Sequence, residues 1–372
     1  MKPTATATPG PERSGASPGR YWHRLDDQRL QCDLCPRFCR LREGQHGLCF
    51  VRARRNDAIE LSTYGRSSGF CIDPVEKKPL YHFLPGSAVL SFGTAGCNLA
   101  CRFCQNWDIS KARDFDRLQE RAAPEAIALA AVETGSRGVA FTYNDPIVFL
   151  EYAVDTAIAC RAAGIRTIAV SNGYICPEPR ADFFAHIDAA NIDLKAFDDA
   201  FYRKICGARL APVLDTLEYL VHETETWLEI TNLVIPGEND SDDGFDRMTR
   251  WIAAQLGADV PLHFSAFRPA WKMADHPPTP PGTLRRARAI ARANGLHHVY
   301  LGNVDDADGN ASCCPACGQV VIGRDGYRVT AWAIRKSADG GACAQCGAPL
   351  AGVFEAQAGD WNARWRRVHP GH

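Results

Sequence analysis

Between residues 89 and 304, short apolar, β-branched runs alternate with longer stretches in which apolar side chains recur every three or four positions. That alternation is the pattern of βα units built around a parallel sheet. The runs predict strands at 89–93, 138–143, 167–171, 191–194, 227–235, 262–267 and 299–302. Two of the helices between them have sharp ends. One opens at Pro146, places Ile147, Leu150, Val154, Ala157 and Ile158 on one face and closes at Gly164. Another is entered from Ser241 and Asp242, runs through Phe245, Met248, Ile252 and Leu256, and stops at Gly257. Six βα repeats therefore follow the first strand.

Outside this region the periodicity breaks. Residues 1–30 start with a run rich in Pro, Ala, Thr, Gly and Ser that lacks the apolar side chains needed to offset the entropy of ordering, and they read as a disordered tail. Residues 31–87 form a cysteine-rich module, 88–304 the βα region, and 305–372 a linker, two cysteine pairs and a basic aromatic tail. That tail, with Trp361, Trp365, Arg366 and Arg367, is expected to pack locally. Two or three units suit a chain of 372 residues. A formal net charge of −1 gives no argument for a polyanionic partner such as nucleic acid. No apolar run approaches the ~18 residues needed to cross a bilayer, and no hydrophobic leader opens the chain, so the expectation is a cytoplasmic protein without a membrane partner. Sixteen cysteines in so long a chain, clustered in short-spaced sets, point to metal rather than to disulfides.

Three such sets carry the chemistry. The first is Cys32-x2-Cys35-x3-Cys39-x9-Cys49, four thiols among turn-forming glycines. Four thiolates complete a tetrahedral zinc site and equally saturate a second iron–sulfur cluster, and both readings stay open. The last set, Cys314-x2-Cys317 answered 25 residues later by Cys343-x2-Cys346, has zinc-ribbon spacing, with Cys313 as a substitute for Cys314 and redox dithiols as the alternative. Between them, directly after the first strand, lies Gly96-Cys97-Asn98-Leu99-Ala100-Cys101-Arg102-Phe103-Cys104-Gln105-Asn106. Its three thiols are too few to close a zinc site without a distant fourth ligand. They are enough for a [4Fe–4S] cube that keeps one iron open to a chelating small molecule.

The Cys-x3-Cys-x2-Cys spacing with an aromatic before the third cysteine resembles the signature of radical S-adenosylmethionine (SAM) enzymes. The wording around it, Glu76-Lys77-Lys78-Pro79-Leu80-Tyr81-His82-Phe83-Leu84-Pro85-Gly86-Ser87, then Gly93-Thr94-Ala95-Gly96-Cys97-Asn98 and Cys104-Gln105-Asn106-Trp107, is similar to AmmeMemoRadiSam-system radical SAM proteins, relatives of pyruvate formate-lyase activating enzyme. The resemblance implies an α/β fold: a partial (β/α)6 TIM-like radical SAM barrel, flanked here by the N-terminal four-cysteine module and the zinc-ribbon-like domain. It implies a [4Fe–4S] cluster on Cys97, Cys101 and Cys104, SAM, a low-potential electron donor of flavodoxin or ferredoxin type, and partnership with Memo-like and AMMECR1-like proteins. Asn144 and Asp145 would receive the methionine ammonium, although relatives carry Glu where this chain has the shorter Asp145. An Asp before Pro is also a good helix cap. Lys195 would meet the methionine carboxylate with Asp193 orienting it, or the two simply form an internal ion pair, and Phe103 would pack on adenine. Asn172, ahead of Gly173, is placed to meet ribose hydroxyls, or simply makes a strand-to-helix turn. His263 and Arg268 are substrate-side candidates. Cys160, Cys176 and Cys206 read as small buried side chains. The reaction expected is reductive cleavage of SAM to a 5′-deoxyadenosyl radical that abstracts hydrogen from a substrate. Glycyl-radical activation is one version, and a non-catalytic metal-binding interaction protein is the competing class.

Overall fold

Seven parallel strands form the spine of the protein, in the computed structural model that describes residues 17–112, 118, 120–337, 340–361 and 365–370. They are β1 (Ala88–Phe92), β2 (Gly138–Phe141), β3 (Arg166–Ser171), β4 (Ala189–Asp193), β5 (Trp227–Val234), β6 (Leu262–Ala266) and β7 (Val299–Gly302). Each pairs with its sequence neighbour in parallel register, Gly138 with Val89 and Arg166 with Gly138 at one end, Leu262 with Val299 at the other. Strands in simple sequential order with helical crossovers make an open barrel wall, the layout of a (β/α) barrel that stops short of closure. Six crossovers follow β1, as the periodicity predicts, and the predicted strand limits differ from the observed ones by no more than two residues.

The crossover helices form where the sequence supplies caps. The Asp145 carboxylate accepts from the Ile147 amide and opens a 3-10 turn at Pro146–Phe149, which passes into the helix Leu150–Ala162. The Ser241 hydroxyl accepts from the Gly244 amide and starts Asp242–Trp251, whose Phe245 and Met248 are buried. Ile158 departs from expectation: it is exposed, because the 3-10 start turns the helix away from an unbroken 3.6-residue stripe. The apolar faces of helices and strands meet in one continuous core that also takes in Cys32, Leu34, Cys35, Cys49 and Val51 of the N-terminal module.

The flanks correct three expectations. Residues 1–16 lie outside the described residues, but the remainder of the segment read as a tail is ordered structure. Ser17–Pro18 pairs with Ala58–Leu61, Trp22–Arg24 pairs with Leu30–Cys32, and the Arg20 amide donates to Glu151. Composition undervalued Tyr21 and Trp22, which give the segment something to bury. The basic aromatic tail does not pack only on itself: Arg366–Val368 adds an antiparallel strand to Phe70–Pro74, which lies antiparallel on β1 and extends the main sheet. The linker contains a helical turn, Ala307–Asn310, capped by the Asp306 side chain accepting from the Gly309 amide.

The C-terminal module is two three-stranded antiparallel sheets around a small core of Val321, Ile322, Ile334, Leu350 and Phe354. It is fastened to the barrel through Arg324. That guanidinium donates to the Tyr81 carbonyl (2.6 Å), the Ser312 hydroxyl (3.0 Å) and the Asn310 carbonyl (3.1 Å), and lies 4.1 Å over the Tyr81 ring. Among the described residues no helix is long and apolar enough to cross a membrane.

Candidate active site

The cysteine loop leaves β1 at a point where only glycine fits. A Cβ on Gly93 would stand 2.4 Å from the Thr142 carbonyl oxygen, and one on Gly96, whose φ is +82°, 2.2 Å from that of Cys49. From the β2 side, Asn144 clamps the loop: its Nδ2 donates to the Ala95 and Gly96 carbonyls (3.0 Å each) and its Oδ1 accepts from the Thr94 amide (2.8 Å). From the other side the Ala100 and Arg102 amides donate to the Cys206 and Ile205 carbonyls. Asn144, expected to face a ligand ammonium, thus positions the loop, and it also lines the cavity with one lone pair of its oxygen taken by Thr94. Cys206 is more than a core residue, since its thiol hydrogen-bonds that of Cys101. Cys160 and Cys176 are buried, as expected.

Cys97, Cys101 and Cys104 all line one cavity of about 760 Å3 at the C-terminal ends of the strands. The Leu99 amide points at the Cys97 sulfur (3.4 Å), as does Asn172 Nδ2 (3.8 Å), and the Ser110 hydroxyl lies 3.1 Å from the Cys104 sulfur. Burial pushes the Cys97 thiol up to about 12, so a thiolate there calls for a bound cation.

The wall beside the thiols is polar. Asp145 is buried at the end of β2. Its Oδ2 accepts from the Asn172 amide (2.8 Å), its Oδ1 from the Ile147 amide (3.0 Å), and both oxygens lie within 3.3 Å of the Ser171 hydroxyl. It therefore caps a helix and faces the cavity at once. Burial raises its pKa to about 6, even against those donors. Asn172 bonds Asn98 through Nδ2 (2.8 Å) and the Tyr174 amide through Oδ1 (2.8 Å). At the end of β4, Lys195 Nζ stands 2.7 Å from Asp193 Oδ2. Burial opposes the charge on Lys195, yet the Asp193 carboxylate outweighs it and holds the ammonium above its ordinary range. Asn191, on the same face, lies deeper and donates to the Pro79 carbonyl. The Lys195 ammonium is 5.8 Å from the centroid of Phe103, whose buried ring lines the same cavity.

The other half of the cavity was largely invisible in the sequence. His263 and Arg268 line it, with the His263 ring 2.6 Å from the fully buried Glu229 carboxylate. So do Glu76, Tyr81 and the Asp325-Gly326-Tyr327 turn of the C-terminal module, which hangs over the barrel mouth. Tyr143, at φ +71°, is a non-glycine residue in the left-handed region. Its hydroxyl donates to Asp73 (2.7 Å) and meets the Cys71 thiol (2.8 Å). A positive-φ tyrosine next to Asn144-Asp145 has no local sequence signal.

The two four-cysteine sets differ. Cys314, Cys317, Cys343 and Cys346 bring all their sulfurs within 4.8 Å of one another, with 3.7 Å from Cys314 to Cys346 and 3.8 Å from Cys317 to Cys343. A tetrahedron of zinc–sulfur bonds of about 2.3 Å has edges of about 3.8 Å, so this set fits one four-coordinate ion. Cys313 stays outside it. Two matching turns build it: the Cys314 amide bonds the Gln319 carbonyl and the Gly318 amide the Cys314 carbonyl, repeated at Cys343, Ala348 and Gly347. Cys32, Cys35, Cys39 and Cys49 instead surround a small apolar cavity under the cysteine loop.

An open parallel barrel wall, with a three-thiol loop after its first strand and a carboxylate, an ammonium and an aromatic ring on the same cavity wall, defines a class of cluster-bearing α/β enzymes. Residues 92–248 match the Radical SAM superfamily. An uncharacterized protein of Methanocaldococcus jannaschii is 38% identical over 327 residues, 88% of this chain and 96% of that protein. The pyruvate formate-lyase 1-activating enzyme of Escherichia coli is 26% identical over 171 residues, 44% of this chain and 68% of that enzyme. A solved radical SAM methyltransferase from Sphaerobacter thermophilus aligns over 82% of this chain and 81% of its own, at 16% identity and a TM-score of 0.46. The chain belongs to the radical SAM superfamily and is related to the pyruvate formate-lyase activating enzymes. Membership implies a [4Fe–4S] cluster and SAM, and soft sulfurs lining one cavity with Asp145, Asp193, Lys195 and Phe103 suit both.

Proposed function

We propose that this protein cleaves SAM reductively at a [4Fe–4S] cluster held by Cys97, Cys101 and Cys104, and turns the resulting radical on a substrate lodged beneath the C-terminal module. The observation that carries this reading is that the three thiols and the polar set from β2, β3 and β4 line a single cavity. A [4Fe–4S] cluster held by Cys97, Cys101 and Cys104 would supply the single electron for reductive cleavage of the sulfonium–C5′ bond to methionine and a 5′-deoxyadenosyl radical.

The chain's own residues bind, orient and shelter. Asp145 takes the methionine ammonium, whose positive charge favours the ionised carboxylate that burial alone resists. Lys195, held in place by Asp193, takes the methionine carboxylate. Phe103 offers its face to adenine. Asn144 fixes the loop that carries the thiols. Glu76, Tyr81, His263, Arg268 and the Asp325–Tyr327 turn bound the remaining space, where a substrate is held away from water and stray hydrogen donors. An electron donor of flavodoxin or ferredoxin type serves the superfamily generally and is the expected partner.

The wording of residues 76–107 favours the AmmeMemoRadiSam-system group, with Memo-like and AMMECR1-like proteins as partners. The alignment to the E. coli enzyme favours glycyl-radical activation as the second reading. Anaerobic reconstitution followed by dithionite and SAM should yield 5′-deoxyadenosine. A verified cluster that yields none would hand the case to a non-catalytic binding protein. Deuterium carried from a candidate substrate into 5′-deoxyadenosine would identify what the radical attacks.

A further inference from the structure

The N-terminal four-cysteine module has three features that a bare structural zinc staple does not explain together. First, among the described residues only the Cys314 group brings three or more such ligand atoms within 4.8 Å of one another, so no three of the Cys32, Cys35, Cys39 and Cys49 sulfurs stand at zinc spacing. Second, these four cysteines enclose a cavity, closed by Leu34, Leu48 and Val148. Thiolates on four different irons of a cube stand farther apart than thiolates on one zinc ion and leave room between them for the cube. Third, two buried guanidinium atoms, Arg37 Nη2 and Arg52 Nε, lack hydrogen-bond partners, and both residues line that cavity. Arg52 is 1% exposed and its terminal nitrogens are taken by Glu151, so its unmatched Nε donor calls for a further acceptor in the cavity.

The surroundings support the same occupant. The Leu48 amide points at the Cys39 sulfur (3.5 Å), the Leu34 amide at that of Cys32, the Arg37 amide at that of Cys35, and the Val51 and Arg52 amides at that of Cys49. Such donors stabilise thiolate charge on a metal. The module also abuts the catalytic loop. Gly96 packs on the Cys49 carbonyl, Arg37 Nε donates to the Asn98 carbonyl (2.8 Å), and Asn98, the residue after Cys97, lines the cavity itself.

We propose that Cys32, Cys35, Cys39 and Cys49 hold a second, fully liganded [4Fe–4S] cluster, next to the loop that carries the SAM-binding cluster and acting as its electron relay. One electron enters it from a donor of flavodoxin or ferredoxin type and one leaves to the first cluster, with no bond made or broken. The inference rests on the radical SAM reading for the identity of its neighbour but is tested without turnover.

The test is a metal count and an electron paramagnetic resonance (EPR) spectrum on anaerobically reconstituted full-length protein. The wild type should carry about eight irons and one zinc per chain. A variant with Cys97→Ala, Cys101→Ala and Cys104→Ala should keep about four irons and a reduced-cluster signal that SAM does not perturb. Two zincs per chain and no iron in that variant would overturn the proposal. Should the variant not fold, the wild type decides. Fully reduced protein should show two signals broadened by mutual spin coupling, only one of them shifted by SAM, whereas a single uncoupled signal would refute the second cluster. Failure of the radical SAM reading looks different, since wild-type iron would then be insensitive to SAM altogether.

Discussion

The catalytic loop contains one Cys-x2-Cys pair and the C-terminal module two, yet the fold treats them in opposite ways. In the loop, three sulfurs are spread along the wall of a large cavity, tied down by Asn144 on one side and by the Cys206 and Ile205 carbonyls on the other. In the C-terminal module, four sulfurs lie within 4.8 Å of one another across two matching turns, two pairs of them at 3.7 and 3.8 Å. A site with room beside its thiols can bring a ligand to a metal; a site closed on all four sides can only cross-link the chain. Thiol count and spacing therefore decide less than what the surrounding strands leave open.

The sharpest way to break this contrast is to remove one sulfur from each region. Cys101→Ala should abolish 5′-deoxyadenosine formation while the C-terminal melting transition stays in place. Cys343→Ala should retain SAM cleavage but lower that transition by more than about 5 °C, because the metal contributes folding energy outright. Full cleavage by Cys101→Ala, measured by chromatography of the nucleoside product, would remove the distinction.

The sequence carried much of this contrast and missed the rest for identifiable reasons. Strand positions in the barrel were legible because the strands are largely buried on both faces and most read as short apolar or β-branched runs. Both cysteine motifs were legible because ligand spacing is local. The contact of Asn144 with the loop was missed because its partners, Thr94, Ala95 and Gly96, lie about fifty positions away and nothing in the local sequence points to them. Glu76, Tyr81 and the Asp325–Tyr327 turn come to the cavity from three separate segments, and no periodicity encodes that meeting. Ser17–Pro18 and Trp22–Arg24 looked unstructured because their strands are two and three residues long, too short to carry a readable alternation, and Ser17–Pro18 pairs with Glu60 and Leu61, far along the chain.

A second test concerns how the two regions are joined. Arg324, buried against Tyr81, stands 3.7 Å from the Glu76 carboxylate, whose pKa burial lifts to about 7. Arg324→Met should strip Glu76 of its counter-charge and the Tyr81, Asn310 and Ser312 oxygens of their donor, at a cost on the order of 3–5 kcal/mol in chemical denaturation. An unchanged midpoint would mean that the module sits on the barrel without this anchor.

Acid should loosen that same junction over the range in which Asp145, its pKa raised to about 6, also takes up its proton. His82 links barrel and C-terminal segment, with Nδ1 on the Ala351 carbonyl (2.8 Å), and its ring lies 4.4 Å from that of His298. Burial drops the His298 pKa from 6.5 to about 4 and pulls His82 well below its ordinary value. A base whose folded pKa is depressed leaves its stabilising contribution whole above 6.5. The contribution is lost as pH falls from 6.5 toward 4, where the unfolded chain gains a proton that the fold refuses. For His298 that amounts to about 3 kcal/mol. Denaturant midpoints measured from pH 7.5 to 4.5 should decline through this window, and His298→Leu should flatten the decline. A variant that tracks wild type throughout would move the acid sensitivity elsewhere.

The smallest effect separates the two duties of Asp145. Asp145→Asn keeps a side-chain oxygen to accept from the Ile147 amide, so the helix start survives, but it loses the charge proposed to meet the SAM ammonium. Binding should weaken roughly tenfold, about 1.4 kcal/mol, in equilibrium titration of the reconstituted protein. Affinity should also fall in the wild type as pH drops below about 6, because only the ionised carboxylate attracts the ammonium. Asp145→Ala removes cap and charge together and should lose stability as well as affinity. If Asp145→Asn binds SAM as tightly as wild type at pH 8, the carboxylate serves the fold alone, and the SAM-facing part of the polar wall shrinks to Asp193 and Lys195.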